Sequence, residues 1–218
     1  MYGIPEGDWR YAHYRVICSF MEYINYCNTR VVKDKFVLKG GTSLMLCYGL
    51  SRFSEDIDLD CVNPTGNIWV IVDNFCKTNG YSFRKAKDTD TVKRAFIHYG
   101  SNKPLKVEVS YRRKFIGTNE VNIINNILVY SISRLLSMKL DAFKSRTKIR
   151  DLYDVVFIVL NFWKSLNDQD KLYVIDAFSY RDLSYVSFLL EEQTDDLINK
   201  ESLTDGVLKM YSLIGYTG

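Results

Sequence analysis

Apolar positions recur at helical spacing from Asp8 to about Asn28, where Trp9, Tyr14, Val16, Ile17, Phe20, Met21 and Ile24 form one stripe and Asp8 stands in the N-cap position. This predicts a long first helix. The pattern then changes in FVLKGGTSLMLCYGL: Phe36 to Leu38 reads as a short apolar strand, Gly40-Gly41 as a turn, and a short helix starts at Thr42 and ends near Gly49. In DIDLDCV acidic and apolar residues alternate with period two, so a strand there sends Asp56, Asp58 and Asp60 to one face and its apolar residues into the core. After a turn at NPTGN, a helix from about Asn67 to Lys77 ends near Gly80, and YSFRKA, KRAFIHY and LKVEVSY follow as three strands. Beyond about Asn122 the periodicity turns helical, through NNILVYSISRLLSMKLDAFKSR, RDLYDVVFIVLNFW, KLYVIDAF, VSFLLEE and GVLKMYSLI.

The pattern therefore divides the chain into a mixed α and β half, residues 1–121, and a helical half, residues 122–218. No Pro- or Ser-rich linker separates them, so they are expected to pack as one unit. A length of 218 residues and a hydrophobic content of 47% suit one sizeable core or two small domains sharing one, and exclude a disordered chain. The formal net charge of +3 does not announce nucleic-acid binding, although it permits a local basic face opposite the aspartates. Cys18, Cys27, Cys47, Cys61 and Cys76 are odd in number and widely spaced without a CxxC pair, which points to buried thiols in a reducing compartment rather than to zinc. With neither a signal-peptide pattern nor a membrane-length apolar run, the expected location is the cytoplasm, with no membrane partner.

The aspartate strand carries the chemistry. Phosphoryl or nucleotidyl transfer needs a divalent metal to neutralise a triphosphate, and magnesium takes carboxylates together with phosphate oxygens and water. Aspartates two apart on a strand supply those carboxylates, and three side by side repel one another unless a cation sits among them or solvent surrounds them. A lone DxD is common on exposed strands, and a lone Gly-Gly is most often a plain turn. Their order and spacing lift both. The chain between Thr42 and Asp56 is long enough for one short helix and a tight return, which sets a helix N-terminus beside the aspartates. Its backbone amides, with the Thr42 and Ser43 hydroxyls, can then hold phosphates.

LKGGTSLMLCYGLSRFSEDIDLD resembles the first two motifs of the AbiEii/AbiGii-type toxin nucleotidyltransferases, relatives of the MenT toxins and more distantly of the DNA polymerase β superfamily. The resemblance implies that Asp56 and Asp58 are paired metal ligands and that Gly40, Gly41, Thr42 and Ser43 lie at the nucleotide phosphates, while Asp60 falls outside the strict pattern. It also implies a third carboxylate on a later strand, for which LKVEVSYR offers Glu108. By periodicity alone, Glu108 reads as an exposed strand glutamate paired with Lys106. KLDAFKSRTKIRDLYDVV resembles the family's fourth motif and brings in Lys139, Arg146, Arg150, Asp151 and Asp154. In that reading Lys139 or Arg146 meets the charge that builds on the triphosphate, and Asp154 orients a cation; Asp151 reads equally as an N-terminal cap.

Together these imply an α+β fold, a polymerase β-like nucleotidyltransferase core with a mixed sheet followed by a C-terminal helical subdomain, with the nucleotide expected between the two. The implied activity is transfer of a nucleotide from an NTP to RNA, at tRNA acceptor ends, with Mg2+ or Mn2+ as cofactor and pyrophosphate released. The implied setting is a toxin of a toxin-antitoxin or phage-defence system, neutralised by a separately encoded antitoxin. Transfer to a protein hydroxyl uses the same metal site, and a nucleotide- or partner-binding protein without transfer activity is the reading from another class. His13 and His98 stand in no nucleophile pattern, and the tyrosines sit at core spacing. Arg84, Lys85, Lys87, Lys93 and Arg94 flank a hairpin, as a basic rim for RNA or as a solvated face.

Overall fold

The computed structural model describes residues 5–30, 35–62 and 67–215, and most of the turn expected at NPTGN lies outside them. The chain forms two compact units, residues 1–130 and residues 131–218. The architecture is α+β, a mixed seven-stranded sheet with eight α-helices among the described residues.

In the first unit α1 runs from Trp9 to Thr29, with the Asp8 carboxylate accepting from the Arg10 amide as the N-cap. Its buried stripe of Val16, Ile17, Phe20, Met21 and Ile24 is the one the periodicity marks. The strands are β1 (Val37–Lys39), β2 (Ile57–Asp60), β3 (Ser82–Asp88), β4 (Val92–His98), β5 (Leu105–Ser110), β6 (Val121–Ile124) and β7 (Ile127–Tyr130), in the spatial order β3-β4-β5-β2-β1-β7-β6. β2 lies between β1, antiparallel to it, and β5, parallel to it. Helix α2 (Gly40–Cys47) follows β1 directly. Helix α3 (Ile68–Asn79) is capped by the Asn67 side chain and stops at Gly80 in the left-handed conformation. Phe20 of α1 meets Phe75 of α3 edge to face at 5.0 Å, which joins the two helices.

The sheet extends further along the chain than the helical periodicity beyond Asn122 suggests. NIINNILVY is a two-stranded hairpin whose loop residues Asn125 and Asn126 have φ of 52° and 62°. Two successive left-handed residues make the turn whose twist matches a tight antiparallel pair, and asparagine tolerates that region better than most residues. The apolar run on both sides of the turn carries no period that separates strand from helix, so the Asn-Asn pair is the informative signal.

The second unit is helical: α4 (Ile132–Ser145), α5 (Ile149–Phe162), α6 (Asp168–Tyr180), α7 (Leu183–Glu192) and α8 (Lys200–Leu213). Ser131 caps α4 through the Arg134 amide, and Phe143 stacks on Phe178 at 4.9 Å between α4 and α6. No helix among the described residues is long and apolar enough to cross a membrane.

Candidate active site

In β2, Ile57 and Leu59 are fully buried, which leaves Asp58 and Asp60 on the opposite face, with Asp56 one residue before the strand. The parallel register sets Asp58 beside Glu108 of β5, and register partners share a face. Asp56, Asp58 and Glu108 therefore occupy one side of two central strands. Burial, with the charges of Asp56 and Glu108, raises the Asp58 carboxyl above the usual carboxylate range against the pull of Lys106 and Lys39; burial is the largest cause.

Three cations answer these carboxylates. Lys106 Nζ lies 2.5 Å from Asp56 Oδ2, and Arg94 lies 2.5 Å from Glu108 Oε2. Lys39 is the antiparallel register partner of Asp58. Burial works against the charge on Lys106, but the bond to Asp56 and the fields of Asp58, Asp56 and Glu108 outweigh it and lift its pKa above the ordinary lysine value. Glu108 is thus paired from β4, through its register partner Arg94, rather than by Lys106 of its own strand.

Asp60 is committed elsewhere. It is 2% exposed, ion-paired to Lys39, and accepts from the Tyr130 hydroxyl at 2.9 Å. Arg113 in turn reaches that hydroxyl at 3.4 Å while it grips Glu120 with both terminal nitrogens. Asp60 is an internal anchor of β2 rather than part of the set formed by the half-buried Asp56, Asp58 and Glu108.

Gly40 and Gly41 open α2 rather than forming a separate turn before Thr42, and they abut the carboxylates. Gly40 has φ of +78°, and a Cβ there would stand 2.9 Å from Asp58 Oδ2; one on Gly41 would meet Ser54 Oγ at 2.7 Å and Arg52 Nη2 at 2.8 Å. Only glycine fits both positions without displacing a neighbour. The Thr42 hydroxyl donates to the Asp56 carbonyl, the Ser43 hydroxyl donates to the Gly40 carbonyl at 2.7 Å, and both side chains are fully buried. These hydroxyls brace the turn. A ligand is offered the backbone amides of the first turn of α2, which lack intrahelical acceptors, and Lys39 at the N-cap makes no side-chain capping bond.

The segment entering β2 is held by His13, a residue with no visible role in the sequence. Its Nε2 lies 2.7 Å from the Glu55 carbonyl and must donate to it, so Nδ1 accepts from Tyr99. Burial lowers its pKa and keeps the ring neutral.

In the second unit, Lys139 of α4 lies 2.6 Å from Asp154 Oδ2 and 4.0 Å from Asp151. Arg146 clasps Asp151 with two bonds of 2.7 and 2.8 Å. Asp151 and Asp154 are 1% and 0% exposed, so both act as buried counterions that fix the two cations. Arg150 binds the Asp195 carboxylate through Nε and Nη2.

The family model for the AbiEii toxin, a nucleotidyl transferase of a type IV toxin-antitoxin system, matches residues 28–204. The chain belongs to the AbiEii nucleotidyl transferase family. JHP933 from Helicobacter pylori superposes on this AbiEii-family chain with a TM-score of 0.76 at 29% identity, over 95% of this chain and 92% of that one. A second Helicobacter pylori chain, a candidate nucleotidyltransferase, gives a TM-score of 0.76 at 28% identity, over 97% of this chain and 96% of that one. The MenT4 nucleotidyltransferase toxin from Mycobacterium tuberculosis shares the fold at a TM-score of 0.51 and 17% identity, over 97% and 87%. No curated protein sequence matches. The AbiEii-family chain is a transferase with an α+β nucleotidyltransferase fold.

For a divalent ion in this AbiEii-family site, the donor set fits. Asp56, Asp58 and Glu108 are hard oxygen ligands of the kind Mg2+ and Mn2+ take, and Asp58, whose carboxyl is raised by burial first and then by Asp56 and Glu108, is a group whose ionised form a cation would favour. Among the described residues no three His, Cys, Asp or Glu side chains are already gathered to hold a metal; Asp56 and Glu108 are ion-paired to Lys106 and Arg94.

Proposed function

We propose that the chain transfers a nucleotide from an NTP to RNA, at tRNA acceptor ends, with release of pyrophosphate. The observation that carries this reading is the parallel register of Asp58 with Glu108, on the face where Gly40 abuts Asp58. Mg2+ or Mn2+ would be held by Asp56, Asp58 and Glu108, and when bound it supplies charge neutralisation for the triphosphate. The backbone amides at Gly41, Thr42 and Ser43 hold phosphate oxygens. Glu108, the carboxylate farthest from the turn, accepts the proton of the attacking hydroxyl. By the family resemblance, Lys139, paired with Asp154, and Arg146, paired with Asp151, are the cations proposed to meet the charge of the triphosphate, and Arg150 of α5, paired with Asp195, is proposed beside them in the same motif. As a type IV system toxin, the protein is neutralised in the cytoplasm by a separately encoded antitoxin, in a setting that includes phage defence.

The test incubates the purified protein with Mg2+ and each α-labelled NTP in turn, together with total RNA, total protein or neither, beside an Asp58→Ala variant. Label in small RNA, absent with the variant, supports the reading and identifies the nucleotide. Label in protein overturns the acceptor but keeps the transfer, and no label in any arm overturns both.

A further inference from the structure

The strand registers extend the carboxylate rows to the edge of the sheet. One row runs Lys87, Arg94, Glu108, Asp58 and Lys39 across β3, β4, β5, β2 and β1. The next runs Arg84, Phe96 and Lys106, and ends on Asp56, to which Lys106 is bonded. The opposite face belongs to the core: Ala95, Ile97, Val107 and Val109 are buried, Phe83 stacks with Trp69 of α3, and Lys85 lies over the same ring at 4.6 Å.

An irregularity in β3 decides which charges join the carboxylate face. The register shifts by one between Lys85 and Lys87, a bulge at Ala86. In an unbroken strand Arg84, Ala86 and Asp88 would share a face with Glu108, and Lys87 would point to the other. The bulge reverses the alternation, so Lys87 stands opposite Arg94 on the carboxylate face, and Asp88 stands opposite Lys93 on the far face, 3.9 Å from it. An acid is exchanged for a base where the sheet leads to the site. Arg84 and Lys87 are exposed, Arg94 is 38% exposed, and the Phe96 ring is half-buried with the Arg84 guanidinium 5.2 Å from its centre.

We propose that this face of β3 and β4 is the docking track of the RNA acceptor strand, with Arg84 and Lys87 on phosphates and the Arg84–Phe96 pair as the platform on which a base stacks. The inference rests on the nucleotidyl-transfer reading above and gives its acceptor a location. The charge complementarity favours a polyanion: three cations lead from the edge, and the acid next in sequence to Lys87 is turned away. Planar guanidinium and aromatic faces are the surfaces on which unpaired bases stack. Three strand spacings of about 4.8 Å separate β3 from β2, so the track brings a strand end to the carboxylates within about 14 Å.

The experiment measures binding of a fluorescent single-stranded RNA to the full chain by anisotropy across a salt series, with circular dichroism confirming the fold. The double variant Arg84→Glu/Lys87→Glu is expected to bind at least roughly tenfold more weakly at low salt, with a log–log salt slope smaller by about two. Phe96→Leu, which removes the ring but keeps apolar volume, is expected to lose roughly fivefold without a change in slope. Lys85→Glu makes the same charge change on the same strand but the opposite face, and is expected to bind as the unaltered chain does. Loss in Lys85→Glu equal to that of the double variant overturns the track, as does full binding by the double variant or no binding by the unaltered chain. Mn2+–NTP binding, followed in parallel by calorimetry, separates the two ideas. If it is absent while RNA binding depends on Arg84 and Lys87, the transfer reading fails, and with it the acceptor role, while the RNA-binding face itself stands. If nucleotide binds and label passes to protein through the same residues, the RNA track fails and the transfer stands.

Discussion

At the scale of single residues, the site is a contest between burial and charge, and Asp58 sits at its centre. Its carboxyl is raised by burial and by Asp56 and Glu108, so the folded state binds that proton more tightly than the unfolded chain does. Stability contributed by the protonated group is therefore lost as pH rises from the ordinary carboxylate range through the raised value, and above it the ionised Asp58 is a liability in the metal-free protein. Asp58→Asn is expected to abolish transfer and to raise the midpoint of thermal unfolding near neutral pH; a lower midpoint in calorimetry contradicts the repulsion argument. Gly40→Ala combines a left-handed backbone with a Cβ 2.9 Å from Asp58 Oδ2. It is expected to cost about 1–3 kcal/mol in urea unfolding and most of the transfer activity. The carboxylates could be picked out from spacing and resemblance, because period two places them on one face. Their counterions could not, because Arg94–Glu108 and Lys39–Asp60 are pairings between strands whose neighbourhood is set by topology.

At the scale of elements, caps and turns were the readable signals. Asp8, Asn67 and Gly80 mark the ends of α1 and α3 in the sequence and do so in the structure. The β6–β7 hairpin escaped a reading based on apolar period, since its turn is coded by two asparagines rather than by a glycine. Asn126→Val, a β-branched residue at φ of 62°, is expected to destabilise the first unit by about 1–2 kcal/mol, whereas Asn126→Gly is expected to be neutral or stabilising; chemical denaturation distinguishes them. Between α4 and α5, Lys139 lies 2.6 Å from the fully buried Asp154, so Lys139→Ala removes a cation from beside a buried carboxylate. The expected cost is about 3 kcal/mol, and Lys139→Met combined with Asp154→Leu is expected to recover most of it. Activity lost in Lys139→Ala is thus interpretable only beside a measured stability.

At the scale of the whole molecule, the modest net charge conceals a division. Residues 1–130 hold 18 Lys and Arg against 13 Asp and Glu, and residues 131–218 hold 11 against 13, so the unit with the carboxylate strand is the basic one. Nucleotide and metal that bind only the folded chain raise its stability by mass action, by about 2.7 kcal/mol at a hundred times the dissociation constant. Mg2+ with the preferred NTP is expected to shift the unfolding midpoint upward in the unaltered protein and not in Asp58→Asn, by differential scanning fluorimetry. The strand order has a further consequence, one of timing. The chain is made from its N-terminus, and β1 and β2 can pair early, but β5, which brings Glu108 beside Asp58, comes only after a helix and two further strands. A nascent chain still short of Ser110 carries two aspartates without their third partner, and one short of Asp154 lacks the buried pair of the second unit. A chain arranged in this way brings its three carboxylates together only well into its own synthesis, so a truncated copy ending before β5 carries the aspartates but not the complete set.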